Sequence, residues 1–346
     1  MSRLRSSYLK RCIVALLFVC MPLPIKPVKA DIPAKAGAEC VMEVNSRRIL
    51  YERNGDTRLP MASTTKILTA ITAIENSEDL TKKIIVPPSA VGVEGSSVYL
   101  KEGDCYSLEE LLYGLMLRSG NDAAVALALS VGDGLASFIT MMNQTAEKAG
   151  ALNSSFANPH GLPNEKHYTT ARDLSFISCY AMQNQTFRTI VSTKYYTPKN
   201  WINKNKLLSG YEGSVGVKTG YTKQAGKCFV GAAKRGDMTL VCTLLNCPTN
   251  YDRTAELLDD CFAKYKQVEL LSPAHTFVLQ DGKTKITAGA KESFSYPLLN
   301  EETEYLEKVV TPVKESLKRK KNDEIVGQIA IYLSKRLLFS ANLYKL

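Results

Sequence analysis

The chain has 346 residues, of which 45% are hydrophobic and 23% charged, a composition typical of a folded globular protein rather than a disordered one. Its formal net charge is +10, but six basic and no acidic residues lie in 1–30, and eight basic against three acidic residues lie in 311–346. Because the basic residues are concentrated at the ends, we exclude a nucleic-acid-binding stripe and expect no nucleic-acid partner.

The first thirty residues have the pattern of a secretory signal peptide. Basic residues between Arg3 and Arg11 precede the apolar run CIVALLFVCMPLPI, and the segment closes with Val-Lys-Ala at Ala30. The run is interrupted by Pro22 and Pro24 and is too short for the roughly 30 Å of hydrocarbon in a membrane. We therefore expect export across the cytoplasmic membrane and cleavage after Ala30, with retention of the segment as an anchor left open.

The cysteines do not indicate a disulfide framework. Nine cysteines occur in the chain, two of them (Cys12 and Cys20) in the signal segment, which leaves an odd number and no C-x-x-C pair. Scattered cysteines in this number argue against paired bridges. With only three histidines in the chain, we also expect no metal site, and no cofactor is indicated.

The first elements after the signal are a predicted hairpin and a helix. ECVMEV and RILYER have strand character and are separated by a short polar turn. Pro60 ends the extended segment, and apolar residues then recur at helical spacing from Ile67 to Ile74. Ser63 is therefore predicted to lie at the N-terminus of a helix.

Further helices are predicted in the middle of the chain. SLEELLYGLML and NDAAVALALSVGD flank a break at 118–120, and GLASFITMMNQTAEKAGA is amphipathic. NPHGLPNEKHY is predicted to be a loop, because proline and glycine interrupt it. The following helix, TTARDLSFISCYAM, has Thr169 or Thr170 as its expected N-cap.

Strands return towards the C-terminus. SVGVKTG, GKCFVGAAKR and MTLVCTLLNC are predicted strands, and the helix in TNYDRTAELLDDCFAKY is expected to pack on their sheet. Beyond Lys266 the pattern consists of short β-type runs such as HTFVLQ, TKITAG and QIAIYLSKRLLFSA. We therefore predict an α/β (α+β) domain over 31–265 and a smaller all-β domain over 266–346.

The end of the chain bears on membrane contact. We interpret the basic run at 318–321 as a solvated loop, with attraction to anionic wall polymers or lipid headgroups as the weaker alternative. No amphipathic helix is predicted before Leu346. We therefore expect weak or no membrane contact once the signal segment is removed.

Three short motifs stand out by their order and placement. They are Ser63-Thr64-Thr65-Lys66 at a helix start, Ser119-Gly120-Asn121 between helices, and Lys218-Thr219-Gly220 on a strand. Each is weak alone, since Ser7-Tyr8-Leu9-Lys10 in the signal segment also fits the first pattern. Their common context makes them a candidate site.

The residue types in these motifs suit attack on a carbonyl carbon. Positions three apart share one helix face, so the amine of Lys66 can reach the hydroxyl of Ser63. Burial, a nearby cation such as Lys218, and the positive end of the helix dipole all lower a lysine pKa. A neutral Lys66 can then accept the proton of Ser63 during its attack.

On these motifs the sequence resembles the low-molecular-mass penicillin-binding proteins, the serine D-alanyl-D-alanine carboxypeptidases. RLPMASTTKILTA, LMLRSGNDAAVALA, NPHGLPNEKHYTTARDL and VGVKTGYT extend the resemblance, which covers roughly residues 37 to 346. It implies a transpeptidase/β-lactamase-like catalytic domain and a β-rich C-terminal domain. It also implies removal of the terminal D-alanine from peptidoglycan stem pentapeptides, which limits cross-linking, and acylation by β-lactam antibiotics as inhibitors.

The resemblance also implies roles for individual residues. The implied catalytic residues are Ser63 as nucleophile, Lys66 as general base, and Ser119 as proton relay. The implied substrate-binding residues are Asn121, Lys218, Thr219 and Gly220, with Arg253 as a candidate second cation for the substrate carboxylate. A plain helix-surface charge is the alternative for Arg253, and we interpret His160 as structural. From the signal segment, and because no terminal amphipathic helix is predicted where many members of that family have one, we expect an extracytoplasmic location in the cell wall or periplasm.

Two other hydrolytic mechanisms deserve comparison. A serine β-lactamase favours Ser-Asp-Asn at the middle motif, where this chain has Ser-Gly-Asn, and no Glu-x-x-Leu-Asn segment is present. A histidine-based serine hydrolase would use His160 or His167 with Asp173, but no Gly-x-Ser-x-Gly elbow surrounds a serine.

Two further questions stay open at this point. A catalytically idle protein that binds cell-wall peptide or a partner through the β-rich domain is one alternative, which the complete motif set disfavours. The acceptor of the acyl group is the other: water gives carboxypeptidase activity, whereas an amine gives cross-linking, and a different specificity gives endopeptidase cleavage. The resemblance favours water.

Overall fold

A computed structural model of the protein describes residues 36–281, 284–313 and 323–346. The predicted signal segment at 1–30 and the basic run at 318–321 lie outside the described residues.

The described residues form helices and strands in a mixed order. The α-helices are α1 (Lys66–Glu75), α2 (Leu108–Tyr113), α3 (Asn121–Val131), α4 (Leu135–Ala149), α5 (Ala171–Met182), α6 (Gln185–Ser192), α7 (Leu207–Gly210) and α8 (Asn250–Lys264). The strands up to α8 are β1 (Ala38–Glu43), β2 (Ile49–Arg53), β3 (Lys83–Ile85), β4 (Cys105–Ser107), β5 (Tyr195–Tyr196), β6 (Trp201–Ile202), β7 (Ser214–Thr222), β8 (Gly226–Arg235) and β9 (Met238–Leu245). The strands after α8 are β10 (Lys266–Leu271), β11 (Thr276–Asp281), β12 (Thr284–Ala290), β13 (Phe294–Leu298), β14 (Leu306–Pro312), β15 (Ile325–Leu333) and β16 (Arg336–Lys345).

The first sheet is antiparallel and has helices on both faces. Its strand order is β2-β1-β9-β8-β7, so β7 lies at an edge. Cys40 and Met42 of β1 join the core with α1, α3 and α5, whereas Val41 joins a second core with α8. This alternation is that of a strand buried on both faces. It confirms the predicted hairpin and the packing of the helix after Asn250 on the sheet.

The helices inside this core place the middle motif. Residues Gly114–Arg118 form a π-helical turn, and Ser119 adopts a left-handed conformation with φ of 65° before α3 begins at Asn121. The predicted break at 118–120 is therefore confirmed. Within the described ranges no single helix has the length and apolar content to cross a membrane, although α3 and α4, bent by 93°, meet both criteria when taken together.

The residues after α8 form a separate sheet-rich region. Its five-stranded sheet has the order β11-β12-β16-β15-β14, and β10 pairs with β13. Apolar residues such as Leu271, Ile329 and Leu343 form its own core. The run QIAIYLSKRLLFSA is divided between β15 and β16 by a turn at Ser334 and Lys335, which both have positive φ, and the sequence pattern did not indicate this turn.

Arg48 joins this region to the hairpin of the first sheet. Its guanidinium donates to both oxygens of Glu302 and to the carbonyl of Pro297. It also lies 5.1 Å from the ring centroids of Tyr265 and Tyr296. Because the Arg48–Glu302 ion pair is bidentate and largely shielded from solvent, it should stabilise this junction more than an exposed ion pair does.

Candidate active site

The Ser63 hydroxyl and the Lys66 amine are in hydrogen-bond contact. Ser63 lies in a 3₁₀ turn, Ala62–Thr65, that leads into α1. The Lys66 Nζ atom is 3.0 Å from Ser63 Oγ, 2.6 Å from Asn121 Oδ1 and 2.7 Å from the carbonyl oxygen of His160. The predicted proximity of the two side chains is thus present in the structure.

The surroundings of Lys66 favour its neutral form. The side chain is fully buried, and this burial, followed by the charges of Lys218 and Lys204, holds its pKa well below the usual value for lysine. A neutral amine has two N–H donors and one lone pair. The oxygens of Asn121 and His160 can only accept, so they take the two N–H groups and leave the lone pair for the hydroxyl proton of Ser63. This is the geometry of a general base.

The amide of Asn121 is held in one orientation. Its Nδ2 atom donates to the carbonyl of Glu94, and its backbone N–H donates to the carbonyl of Ser96 at 2.7 Å. The neighbouring Asp122 carboxylate accepts from the backbone of Val98 at 3.1 Å and from further donors in the same segment. Segment 94–100 is therefore fixed over the start of α3, and Asn121 Oδ1 is left facing Lys66.

A cleft of about 670 Å³ opens above this pair. Ser63 and Ser119 line it together with Thr219 and Gly220. Ser119 is only 5% exposed, and its left-handed backbone directs the chain sharply between the two helical segments. The structure therefore brings together residues from all three motifs, as the sequence predicted.

Lys218 lies behind the cleft rather than in its wall. It is paired with Val230, which faces the inner core, and it is 1% exposed. Its amine donates to the carbonyl of Thr219 at 2.9 Å. Burial, followed by the charge of Lys204, lowers its pKa to about 7. Direct contact between Lys218 and a substrate carboxylate stays a prediction, whereas its electrostatic effect on Lys66 follows from the packing.

Two glycines allow other segments to approach the serine turn. A Cβ atom on Gly220 would lie 3.1 Å from the backbone nitrogens of Ser63 and Thr64. A Cβ atom on Gly161, whose φ is 89°, would lie 2.0 Å from the carbonyl oxygen of Ala62. The edge strand β7 and the loop that contacts Lys66 therefore both reach the nucleophile only because these positions carry no side chain.

We expect Gly161→Ala to reduce the acylation rate by tenfold or more, because the new methyl group must displace the serine turn by an amount that misaligns Ser63 and Lys66. The measurement is the second-order rate of labelling by a fluorescent penicillin. Gly103→Ala is the matched control, since Gly103 also has positive φ but open space around it. A labelling rate for Gly161→Ala equal to that of Gly103→Ala would show that the contact with Ala62 does not control the alignment of Ser63 and Lys66.

The two histidines of the NPHGLPNEKHY loop support the turn but do not act on Ser63. The Nδ1 atom of His167 accepts from the backbone of Ala157, so its Nε2–H donates to Thr65 Oγ1 at 2.8 Å, and this hydroxyl donates to the carbonyl of Ala62 at 2.8 Å. Burial is the main cause that lowers the pKa of both His160 and His167 to about 4. Both rings are therefore neutral near pH 7.

The histidine-based alternative is not supported by the structure. Among the described residues, no histidine ring bonds to Ser63; the His160 ring accepts from the backbone of Leu162. The Asp173 carboxylate accepts from Asn153 and Ser154 instead of from a histidine. The N-cap of α5 is Thr170. These residues hold the loop rather than form a catalytic triad.

Arg253 has a structural partner away from the cleft. Its guanidinium donates to both carboxylate oxygens of Glu39 at 2.9 Å and pairs with Glu256 at 3.0 Å. Glu39 is fully buried, and its hydrogen bonds are the main cause that raises the pKa of Arg253. Arg253 does not line the cleft. Its predicted role as a second cation for the substrate therefore has no support in the structure. The alternative, a plain charge on the helix surface, does not account for its pairing with the buried Glu39.

Some residues of the cleft were not indicated by the sequence. They are Ser96, Lys204, Lys206, Lys227 and the segment 248–252. None of these residues belongs to a recognisable motif. They line one cleft because the connection from β9 to α8 folds towards the segment before α7. Tyr251 links the two, since its hydroxyl accepts from the backbone of Lys206 and donates to the carbonyl of Lys204.

The fold and the serine-lysine pair define a class of protein: a serine peptidase in which a buried lysine, not a histidine, contacts the nucleophile. Residues 26–249 match the family model of peptidase S11, D-alanyl-D-alanine carboxypeptidase. The chain belongs to this family, and its activity is that of a serine-type D-alanyl-D-alanine carboxypeptidase.

Similar proteins agree with this assignment. The chain is 30% identical to the D-alanyl-D-alanine carboxypeptidase DacF of Bacillus subtilis, over 85% of this chain and 78% of that protein. It is 41% identical to a D-alanyl-D-alanine carboxypeptidase of Streptomyces sp. K15, over 57% of this chain and 75% of that protein.

Solved structures show the same fold. Penicillin-binding protein 5 of Haemophilus influenzae superposes with a TM-score of 0.75 at 25% identity, over 90% of this chain and 97% of that one. The Streptomyces K15 DD-transpeptidase superposes with a TM-score of 0.63 at 37% identity, over 66% of this chain and 98% of that one. The predicted fold class, a penicillin-binding-protein catalytic domain followed by a β-rich region, is confirmed.

Proposed function

We propose that the protein removes the terminal D-alanine from peptidoglycan stem pentapeptides through an acyl-enzyme on Ser63. The contact of Ser63 Oγ with the buried Lys66 amine carries this proposal. The oxygen attacks the carbonyl carbon of the penultimate D-alanine while Lys66 accepts its proton. The C–N bond then breaks, and the leaving amine receives a proton through Ser119.

The rest of the cleft positions the substrate in this proposal. Thr219 and Gly220 lie along the edge strand β7, where an extended peptide can add as a further strand. The terminal carboxylate is held by the Thr219 hydroxyl in the field of Lys218, and the backbone N–H groups of Ser63 and Tyr221 stabilise the oxyanion. Water, activated by the neutral Lys66, then hydrolyses the ester and restores Ser63.

The same attack accounts for inhibition by β-lactam antibiotics. Ser63 Oγ bonds to the lactam carbonyl carbon and the ring C–N bond breaks, so the amine stays tethered to the acyl group. Because no leaving group diffuses away, the tethered part continues to occupy the cleft and hinders water. We therefore propose that β-lactams acylate Ser63 and remain attached.

The predicted location and domain boundaries belong to the same proposal. We infer export, removal of residues 1–30, and action on the wall outside the cytoplasmic membrane. The catalytic domain is then 31–265 and the β-rich domain 266–346, which acts as a spacer. Water is the favoured acceptor of the acyl group, although relatives from Streptomyces K15 carry both names, carboxypeptidase and transpeptidase.

The test is release of free D-alanine by residues 31–346 from a peptide ending in D-Ala-D-Ala. We expect D-alanine release from this peptide and no L-alanine release from the same peptide ending in L-Ala-L-Ala, because only the D,D form places its carbonyl over Ser63 with its carboxylate at Thr219. If penicillin acylates the protein but neither peptide is cleaved, the nucleophile is intact and the proposed substrate is wrong.

A further inference from the structure

A second cavity, of about 540 Å³, lies between the first sheet and the sheet-rich region after α8. Its lining comes from hairpin β1–β2, at residues 46–49, and from hairpin β15–β16, between Leu333 and Leu338. Phe176 of α5 and Tyr296 of β13 also line it. None of these residues lines the cleft above Ser63. The cavity is therefore distinct from the active site.

The lining of this second cavity carries excess positive charge. Arg47, Arg48 and Arg336 line it, and Glu302 is the one carboxylate among the lining residues. Glu302 is already bonded through both oxygens to Arg48. The carboxylate of the fully buried Glu43 accepts from the backbone and the hydroxyl of its own turn and does not line the cavity. In the part of the chain that the structure describes, Arg47 and Arg336 therefore have no carboxylate partner.

Both of these arginines keep N–H donors for a ligand. A guanidinium has five N–H groups. Arg47 donates to the carbonyl of Ala149, at 3.2 Å, and Arg336 is exposed and makes no side-chain hydrogen bond to any described residue. Burial raises the pKa of Tyr296, and the charges of Arg48 and Arg336 act against that rise. Arg336 therefore lies close enough to this buried ring to act inside the cavity, although it belongs to an exposed turn.

The remaining lining is mostly apolar. Its apolar members are Ile49, Phe176, Leu333, Leu337 and Leu338. Leu337 is 51% exposed although its side chain is a large hydrophobic one. Apolar surface beside unpaired cations suits an anion that carries a carbon skeleton, because the two parts of such a ligand meet matching surfaces. The cavity volume also exceeds what a small inorganic anion alone would fill.

The placement of the arginines on two hairpins favours a phosphate over a carboxylate. A carboxylate is planar, and one guanidinium can satisfy both of its oxygens, as Arg48 does for Glu302. The oxygens of a phosphate point in several directions, so a phosphate can accept from two separate guanidiniums at once. Arg47 and Arg336 approach the cavity from different hairpins and thus match the second geometry.

We propose that this cavity binds a phosphate ester, with the phosphate oxygens on Arg47 and Arg336 and the carbon part against Phe176 and Leu337. The site does not depend on the acyl-enzyme at Ser63. A ligand held by both hairpins adds a contact across the junction that Arg48 already bridges, so binding should stabilise that junction. Phosphodiester polymers and lipid headgroups both present this chemical group, and the experiment below distinguishes them.

The test measures binding of glycerol 3-phosphate to residues 31–346 by isothermal titration calorimetry. Glycerol and glycerate are the matched ligands, since they keep the three-carbon skeleton and replace the phosphate by a hydroxyl or a carboxylate. We expect saturable binding of glycerol 3-phosphate, weaker binding of glycerate and none of glycerol. The affinity should fall as salt is added. Equal affinities for glycerate and glycerol 3-phosphate would contradict the assignment to a phosphate.

Variants assign the binding to this cavity. Arg47→Gln and Arg336→Gln should each raise the Kd for glycerol 3-phosphate roughly tenfold, the size of one hydrogen bond to a charged group. Arg58→Gln, at an exposed arginine that does not line the cavity, should keep the wild-type Kd. Lys227→Gln, in the cleft above Ser63, should keep it as well. Thermal unfolding without ligand shows whether each variant folds, and Arg336→Gln removes no contact within the described chain.

Amide hydrogen exchange locates the ligand independently. Glycerol 3-phosphate should slow exchange in residues 46–49 and 333–338 of the wild type and not in Arg336→Gln. Slower exchange around Ser63 alone, or a Kd that rises in Lys227→Gln and not in Arg336→Gln, would place the phosphate in the other cleft and overturn the proposal. A wild type that does not bind glycerol 3-phosphate would also overturn it.

Two larger ligands identify the source of the phosphate. They are a soluble poly(glycerol phosphate) chain and vesicles of phosphatidylglycerol, with phosphatidylcholine vesicles as the neutral control. Binding of the soluble chain without capture by vesicles supports the site and assigns it to a polymer. Capture by phosphatidylglycerol vesicles that is lost in Arg336→Gln supports the site and assigns it to a lipid headgroup.

Discussion

Replacement of Ser63 by alanine is expected to abolish both D-alanine release and covalent labelling by penicillin. The Lys66 amine would remain beside the site, but no oxygen would be left to form the ester. We expect kcat to fall by at least roughly 10⁴-fold, as when the nucleophile of other serine peptidases is removed. Mass spectrometry of the penicillin-treated protein measures the adduct directly.

The matched control is Ser89→Ala, since Ser89 is exposed and does not line the cleft. It should be labelled at the wild-type rate. An adduct on the Ser63→Ala protein would show that another nucleophile carries the reaction and would remove the basis for the proposed mechanism.

Replacement of Lys66 by arginine should severely slow acylation, because it places a permanent positive charge at the position. A guanidinium stays protonated at any workable pH and has no lone pair for the proton of Ser63. We expect a loss of about 10²- to 10⁴-fold in the acylation rate, the usual contribution of a general base. A rate near that of the wild type would mean that Lys66 acts only through its charge.

The pH dependence of the wild type provides an independent check. Because burial depresses the pKa of Lys66, the amine is charged below its folded-state pKa and neutral above it. Acylation by penicillin should therefore increase as pH rises through that value, well below the ordinary titration of lysine. Lys148→Arg, a change on the exposed surface of α4, should leave this profile in place.

The sequence was sufficient to predict the local elements that carry the reacting groups. The spacing of Ser63 and Lys66 at a helix start, and the break before Asn121, depend on local periodicity and on residues close in the chain. The contacts that fix them are long-range. The carbonyl of His160, the Thr65 hydroxyl and the His167 ring meet through a loop whose path no local pattern determines.

Arg253 is a residue whose role could not be predicted from the sequence. From the sequence alone, a cation at this position is compatible with binding of the substrate carboxylate. Arg253 instead pairs with the buried Glu39 of β1, and this pairing depends on how α8 crosses the sheet. The sequence also did not indicate that several lysines line the same cleft as Asn250. They meet there because two connections that are far apart in sequence come together in the fold. Residues without a motif become informative only when the tertiary structure shows what they share.

The free thiols of this protein bear on its survival if it is exported as proposed. Of the seven described cysteines, all unpaired, only Cys105 is exposed. Burial raises the pKa of the Cys40 and Cys261 thiols to about 12, so these two thiols are unreactive in the folded state. If the chain is exported as proposed, tight packing is its protection against oxidation. Each unfolding event would expose six further thiols to mispairing, and folding and damage would then compete in rate.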